Sequence, residues 1–246
     1  MPKSKLVPGD FAALYENFEA PVSKFDCGKK CAPLNNGSAY CCSTQMAVPV
    51  VDKTEFAFLK TRTDLWRKFK PYDYETRKIV EELHNSACAV ECKGAAFCER
   101  HNRTIACRAF PFFPYMTRKK EFIGLSVYWV FEDRCWMISN MGIVEQPFID
   151  EFAATFEAIF AKDPTEFDTY VEHSASMRRV FSRWGRKIPL LARDGSTMLV
   201  DPGTGEAKPV ARAKLPTYEP FNSLANYRRA IKEAGGEVPK EGLAPV

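Results

Sequence analysis

The sequence predicts an α+β protein with two parts. An irregular, metal-nucleated and cysteine-rich part with short strands and helices is followed by a mostly helical C-terminal part with a small β-meander. All nine cysteines in the 246 residues lie between Cys27 and Cys135. After the last cysteine come long amphipathic patterns, which are typical of helices. Short runs of β-forming residues separated by turns then follow. A content of 46% hydrophobic and 27% charged residues excludes a disordered chain.

The N-terminal third is predicted to contain short elements joined by a loop. Apolar residues on one face predict a helix over residues 10–18, and residues 47–51 predict a buried strand. Asp52 and Glu55 form an acidic capping box that opens a further helix. The loop between the first helix and the strand is rich in Gly, Lys and Asn, and it carries four cysteines, namely Cys27, Cys31, Cys41 and Cys42.

A second helix is predicted over residues 74–87, with Cys88 and Cys92 at its C-terminal end. Residues 93–114 are predicted to form a loop, and this loop contains two more cysteines, Cys98 and Cys107. Residues 122–131 are rich in bulky β-forming side chains and predict a strand. The short apolar run that begins at Cys135 is interpreted as the partner of that strand, over residues 135–138.

The C-terminal part has the clearest periodicity. Residues 148–160 predict a strongly amphipathic helix, and Asp163 followed by Pro164 is typical of the start of another. Residues 188–205 predict a β-meander whose last turn is Asp-Pro-Gly-Thr-Gly. A final helix is predicted from about residue 222 to residue 233, followed by a Gly/Pro tail.

These patterns divide the chain into three segments. Residues 1–24 form an N-terminal helical arm, residues 25–138 a cysteine-cluster metal-chelating domain, and residues 139–246 a helical and β-meander part packed on that domain. The composition near the second boundary is not that of a linker. We therefore expect one composite domain rather than two independent ones.

The bulk properties indicate a cytoplasmic protein. The first residues have no apolar run typical of a signal peptide, and no stretch approaches the roughly 18 apolar residues of a membrane helix. We therefore expect no membrane partner. The net charge of +4 is too small to predict a nucleic-acid partner. In a reducing compartment, clustered cysteines are typical metal ligands or catalytic thiols rather than disulfides.

The cysteine spacing is compatible with more than one metal. Cys27 and Cys31, like Cys88 and Cys92, have the spacing that lets two thiolates share a tetrahedral zinc ion. Adjacent side chains of an extended chain point apart, so Cys41 is expected to serve a different site from its neighbour. Nine thiols suffice for two four-coordinate zinc sites with one to spare, or for a four-iron cluster with several to spare. The spacing does not select between zinc and iron.

A thiol nucleophile is a further alternative, and it would require a nearby histidine. The chain offers only His84, His101 and His173. His101 lies between Cys98 and Cys107 in the sequence and is a candidate ligand or base, although a surface-loop histidine is its simpler description.

Two stretches together resemble a known family. The first contains Phe25-Asp26-Cys27, Cys31, the Cys41-Cys42 pair, a strand near Val51 and a helix bearing Glu55. The second contains Cys92, Cys98 and the run Arg103-Thr104-Ile105-Ala106-Cys107-Arg108-Ala109-Phe110-Pro111. Over residues 25–138 the chain is similar to the YkgJ-like cysteine-cluster proteins, which are described as zinc- or iron-chelating. Its departures are a nine-residue interval after Cys31 and the absence of a proline at Thr104 and Lys93.

The resemblance implies a set of metal ligands and leaves Cys88 as the spare thiol. Arg103, Arg108 and Pro111 match family positions around the last loop. The implied ligands are Cys27, Cys31, Cys41, Cys42, Cys92, Cys98, Cys107 and Cys135.

Three functions are consistent with the sequence. The first is a metal-binding protein, with zinc, iron or an iron–sulfur cluster, of undefined activity. The second is a metal-dependent enzyme that modifies a protein or peptide, related to the flagellin lysine N-methylases and using an S-adenosyl donor. No glycine-rich adenosyl loop is found, so this alternative depends on the resemblance alone. The third is a zinc-stapled interaction module with a basic surface formed by Arg178, Arg179, Arg183, Arg186 and Lys187.

Overall fold

The computed structural model describes residues 4–238 and has a mixed α+β architecture. The predicted C-terminal tail from residue 239 onward and the first three residues of the predicted arm lie outside this range. The helices are α1 Pro8–Glu16, α2 Cys27–Cys31, α3 Lys53–Arg62, α4 Tyr74–Glu81, α5 Ile105–Ala109, α6 Gln146–Lys162, α7 Pro164–Arg183 and α8 Leu224–Glu233. The strands are β1 Val50–Asp52, β2 Trp66–Lys68, β3 Ala87–Cys92, β4 Phe112–Met116, β5 Phe122–Val127, β6 Ile188–Ala192, β7 Thr197–Val200 and β8 Ala207–Pro209.

A small antiparallel sheet with the order β1-β3-β2 lies in the cysteine-rich part. Its central strand β3 carries Cys88 opposite Val51 and Cys92 opposite Trp66. The prediction that these cysteines end a helix is therefore wrong, because α4 stops at Glu81. Both edges of β3 pair with other strands, and this non-local pairing overrides the helical pattern.

A second antiparallel sheet has the order β4-β5-β6-β7-β8. The predicted β-meander is confirmed as β6 to β8, and it joins the β4–β5 hairpin where Gly124 pairs with Ala192. The strand predicted over residues 135–138 is wrong, because β5 already pairs with β4 and β6. Those residues begin a buried 3-10 helix, Trp136–Ile143. The sheet thus contains strands from both sides of residue 138.

The long helices cover this second sheet. Helix α6 buries an aromatic stripe that includes Phe148, Phe152 and Phe156. Asp163 caps α7 as the sequence predicts, and its Oδ1 accepts hydrogen bonds from the backbone N–H groups of Thr165 and Glu166 at 2.9 and 3.2 Å. Helix α7 packs on β4. Within residues 4–238, no helix has the length and apolarity needed to cross a bilayer.

The junction between β5 and β6 depends on the absence of a side chain at Gly124. A Cβ atom there would lie 2.2 Å from the backbone oxygen of Leu191. We expect Gly124→Ala to separate the two strands and to cost about 1–3 kcal/mol of unfolding free energy, in line with other overpacked interiors. The control is Gly9→Ala, whose new Cβ would meet no atom within 4 Å. Thermal unfolding followed by circular dichroism checks this, and equal midpoints for the two variants would refute it.

Candidate metal centre

Helix α2 presents the first pair of cysteines. Asp26 caps this helix by accepting a hydrogen bond from the N–H of Gly28 at 3.1 Å. Cys27 and Cys31 stand four positions apart and so share one face of the helix. The prediction of a loop for this stretch is wrong, because the residues directly after the Asp26 cap form a helix.

Cys41 and Cys42 lie in a 3-10 turn, Tyr40–Cys42, rather than in an extended segment. The two thiols influence each other's charge, and the backbone is a 3-10 turn rather than the extended chain on which the expectation of side chains pointing apart is based. The contact lowers the pKa of Cys42 to about 6 and raises that of Cys41. Arg103 also favours the thiolate of Cys42. This turn places the two adjacent thiols at the meeting point of two groups of cysteines.

The first group, called here the first quartet, consists of Cys27, Cys31, Cys41 and Cys135. The charge of each member acts on the pKa of another member, and all six pairs interact in this way. The interaction between the Cys31 and Cys135 thiols lowers the pKa of Cys31 and raises that of Cys135. The Sγ atom of Cys31 also accepts the N–H of Trp136 at 3.4 Å. Burial raises the pKa of Cys27 to about 12.

The second quartet consists of Cys42, Cys92, Cys98 and Cys107. Cys92 interacts electrostatically with Cys42, Cys98 and Cys107. Burial raises the pKa of Cys107 to about 12. Cys107 lies on α5, so the prediction that residues 93–114 form a loop is wrong for this segment and for β4. The Nε of Arg103 donates to the Sγ of Cys98 at 3.1 Å, which places a positive charge beside this quartet.

Cys88 is separated from both quartets. It is buried, and the charges that act on it belong to residues of the small sheet and α3, including Lys68 and Asp52. Burial raises its pKa. Four residues of strand span about 13 Å, so Cys88 and Cys92 are too far apart to share one metal ion. The spacing of these two cysteines predicts a shared zinc ion only if the segment is helical.

The quartets are neighbourhoods of thiols rather than closed coordination shells. In the described part of the chain, no three His, Cys, Asp or Glu side chains form a group that could hold a metal ion as arranged. All nine cysteines are free thiols. The structure therefore brings together the eight cysteines named by the resemblance without arranging them as ligands.

The three histidines lie elsewhere. The Nδ1 of His84 is 2.9 Å from the Oγ of Ser86, and His101 is exposed. His173 packs against Phe113 and Trp129, and burial lowers its pKa to about 4. No histidine hydrogen bonds to a cysteine within residues 4–238, so the geometry offers no thiol–imidazole pair.

Arg108 ties the last cysteine loop to the N-terminal helix. Its Nη1 donates to the carbonyl oxygens of Tyr15, at 2.9 Å, and Phe18, and its Nη2 donates to that of His101 at 2.6 Å. Its Nε donates to the Arg103 carbonyl oxygen at 3.2 Å. The guanidinium also lies 4.5 Å from the centre of the Tyr15 ring. Nothing in the sequence assigns this arginine a structural role beyond its match to a family position.

Glu55 is a buried carboxyl between α1, α3 and α5. Its Oε1 accepts hydrogen bonds from the Tyr15 hydroxyl at 2.7 Å and from the Ile105 N–H at 2.8 Å. The predicted capping box is therefore confirmed only for Asp52, which caps α3 by accepting the Thr54 N–H. Glu55 does not take part in the cap, because its carboxyl accepts a hydrogen bond from α5 instead. Burial raises the pKa of Glu55 to about 7.

This shift predicts a pH dependence of stability. The ordinary pKa of a glutamate is 4.5 and that of Glu55 in the fold is about 7, so the folded state holds the proton more tightly than the unfolded chain. The associated stability is complete below about pH 4.5 and is lost as the pH rises towards about 7, in total about 3 kcal/mol. Glu55→Gln keeps an acceptor for both hydrogen bonds and removes the titration. We expect the variant to gain that amount relative to wild type across this window.

Denaturant unfolding at several pH values measures the difference. The exposed carboxyl Glu81 provides the control, because Glu81→Gln removes an acidic side chain at the surface of α4. A difference curve for Glu55→Gln as flat as that for Glu81→Gln would show that the pKa of Glu55 is not raised in the folded protein.

The five basic residues predicted to form an interaction surface do not share one exposed face. Arg178 is only 8% exposed, and Arg186 pairs with Glu132 at 2.8 Å and lies over the Trp184 ring. The exposed members are Arg179, Arg183 and Lys187. This arrangement leaves a smaller basic surface than the sequence predicts.

Comparison with known proteins adds no relative. The chain matches no protein-family model, no curated protein and no solved structure.

Proposed function

We propose that this chain is a metal-binding cysteine-cluster protein in which each quartet supplies four thiolates to a metal centre. The observation that carries the proposal is the gathering of eight cysteines from six separate segments into two adjacent groups of four, with Cys88 outside both. Burial of small apolar thiols alone would not require this selection. The resemblance to the YkgJ-like proteins, which covers residues 25–138, supports the same eight residues.

The donor chemistry of both quartets fits zinc and iron–sulfur clusters. Four cysteine thiolates are the usual ligands of structural zinc and of iron–sulfur clusters. A bound metal would hold the thiols deprotonated, which overcomes the raised pKa values of Cys27, Cys41, Cys107 and Cys135. The charge of Arg103 offsets part of the negative charge of the second quartet. The thiols have to rearrange on binding, since no three of them yet form a metal-holding group.

The role proposed for the metal is structural. The first quartet would join α2 and the Tyr40–Cys42 turn to Cys135, and the second would join that turn to β3 and α5. These connections would hold together short helices, a turn and a strand that lie far apart in the sequence. No arrangement in residues 4–238 favours the protein-modifying enzyme over this function.

Elemental analysis together with an absorption spectrum tests the proposal on protein purified without oxygen. We expect stoichiometric zinc in a colourless sample, or iron with visible charge-transfer bands. Protein with substoichiometric amounts of every transition metal, even after reconstitution with zinc or with iron and sulfide, would refute it.

A further inference from the structure

An open cavity of about 210 Å³, with several charged residues in its lining, lies beside the second sheet and away from the cysteines. It is bounded by the β4–β5 turn, by the middle of α7 and by the β7–β8 turn. No cysteine lines it. The residues that the argument uses are Tyr115, Thr117, Arg118, Lys119, Arg178 and Thr204.

Arg178 gives the cavity a buried positive charge. The side chain is 8% exposed, and its Nη1 donates to the Met116 carbonyl oxygen at 2.6 Å and to the Tyr115 hydroxyl at 3.4 Å. Its Nη2 and Nε have no hydrogen-bond partner in the described part of the chain, and no carboxylate there pairs with it. A guanidinium carries five N–H donors, and those on Nη2 and Nε keep contact with solvent rather than being fully buried without a partner. Its unused donors are thus available to an anionic group in the cavity.

Two further cations stand at the rim. The Nη2 of Arg118 donates to the carbonyl oxygens of Pro202, at 3.1 Å, and Gly203, which fixes the β4–β5 turn against the β7–β8 turn. Lys119 is exposed. Neither forms an ion pair within residues 4–238. The one acidic lining residue, Glu121, lies 3.3 Å from the Thr117 hydroxyl, so the lining carries an excess of positive charge.

The β7–β8 turn borders this cavity through Thr204 and Gly205. Asp201 accepts the N–H groups of Gly203 and Thr204, each at 2.9 Å, and thereby orders the Asp-Pro-Gly-Thr-Gly turn. Thr204 of this turn lines the cavity, as Arg178 of α7 does, and its hydroxyl accepts a hydrogen bond from the Glu206 N–H at 3.2 Å. The segment is a hairpin turn as the sequence predicts, and it also forms one wall of a charged cavity.

We propose that this cavity binds a small phosphorylated molecule through its phosphate group. Guanidinium groups bind phosphate oxygens through paired, charge-assisted hydrogen bonds, and hydroxyl groups add neutral donors. The cavity is several times larger than the ~30 Å³ that one water molecule occupies in the liquid, so it accommodates a phosphate group with further atoms attached. Free phosphate shares this chemistry and is the second source that the experiment distinguishes.

Isothermal titration calorimetry of the full-length protein tests the proposal, with inorganic phosphate and glycerol phosphate as probes at constant ionic strength. We expect saturable binding in the millimolar range or tighter. If glycerol phosphate binds more tightly than inorganic phosphate, the ligand is a phosphorylated molecule. If glycerol phosphate binds equally tightly or more weakly, that assignment is refuted in favour of the free ion. The absence of saturable binding by either probe overturns the site itself.

Matched variants locate the binding. Lys119→Gln and Arg118→Gln change exposed side chains and should each weaken phosphate binding by roughly 10- to 100-fold, as expected for loss of a charged hydrogen bond. Lys120→Gln is the control, because Lys120 is the next residue in the chain but pairs with Asp168 outside the cavity. Arg178→Lys keeps the buried positive charge but removes the paired N–H donors of the guanidinium, so it should also weaken phosphate binding. Equal weakening by Lys119→Gln and Lys120→Gln would show a general charge effect and overturn the proposal.

Discussion

Cys107→Ser is expected to remove the metal of the second quartet and to destabilise the protein by at least about 4 kcal/mol. The apparent binding free energy of a structural zinc site reaches ~10–16 kcal/mol and contributes directly to folding, so even partial loss is large. Cys31→Ser should do the same through the first quartet. At this chain length the fall in the thermal midpoint is roughly 8–16 °C.

The spare thiol provides the matched control for these variants. Cys88→Ser removes a buried cysteine that interacts with neither quartet, so it should leave the metal content at the wild-type value. Metal analysis of the three purified variants, together with their unfolding curves, gives the comparison. Equal metal loss in Cys88→Ser and Cys107→Ser would contradict the separation of Cys88 from the two quartets.

Arg108→Met is expected to lower the unfolding free energy by about 3–5 kcal/mol. The substitution keeps an apolar stem but leaves the Tyr15 and Phe18 carbonyl oxygens without their donor and removes the contact with the Tyr15 ring. Hydrogen bonds to a charged group contribute about 1.5–3 kcal/mol each, and unsatisfied buried acceptors add to the loss. The last cysteine loop should then detach from α1.

Chemical denaturation measures this loss, with Arg100→Met as the control. Arg100 is an exposed arginine in the same loop, and its side chain makes no hydrogen bond or ion pair within residues 4–238. Its replacement should change stability by less than about 0.5 kcal/mol. Similar effects of the two substitutions would show that Arg108 does not connect the loop to α1.

Local periodicity was sufficient for the C-terminal elements. Helices α6 and α7 have apolar stripes many turns long, and Asp163 with Pro164 marks the boundary between them. The strands of the β-meander are separated by turns at Asp194 and Asp201, and the side chains of these residues accept hydrogen bonds from nearby backbone N–H groups. Each of these signals acts within a few residues, which is why the sequence alone predicts them.

The cysteine-rich part was less predictable because its elements depend on distant partners. Strand β3 exists because β1 and β2 flank it, and its apolar pattern is equally compatible with a helix. The roles of Glu55 and Arg108 are also non-local, since each contacts a segment far away in the sequence. The eight cysteines gathered by the fold are those the family resemblance names. The sequence predicts that Cys41 and Cys42 serve different sites, but it does not predict the 3-10 turn that carries them.

X-ray absorption spectroscopy at the metal edge tests the central proposal most directly, because it reports the atoms bound to the metal. On protein purified without oxygen, we expect a shell of four sulfur atoms per metal at about 2.3 Å. This shell should persist in Cys88→Ser at unchanged metal content, while Cys107→Ser loses the metal of the second quartet. A shell made only of nitrogen and oxygen atoms, or protein that binds no metal, would contradict the account.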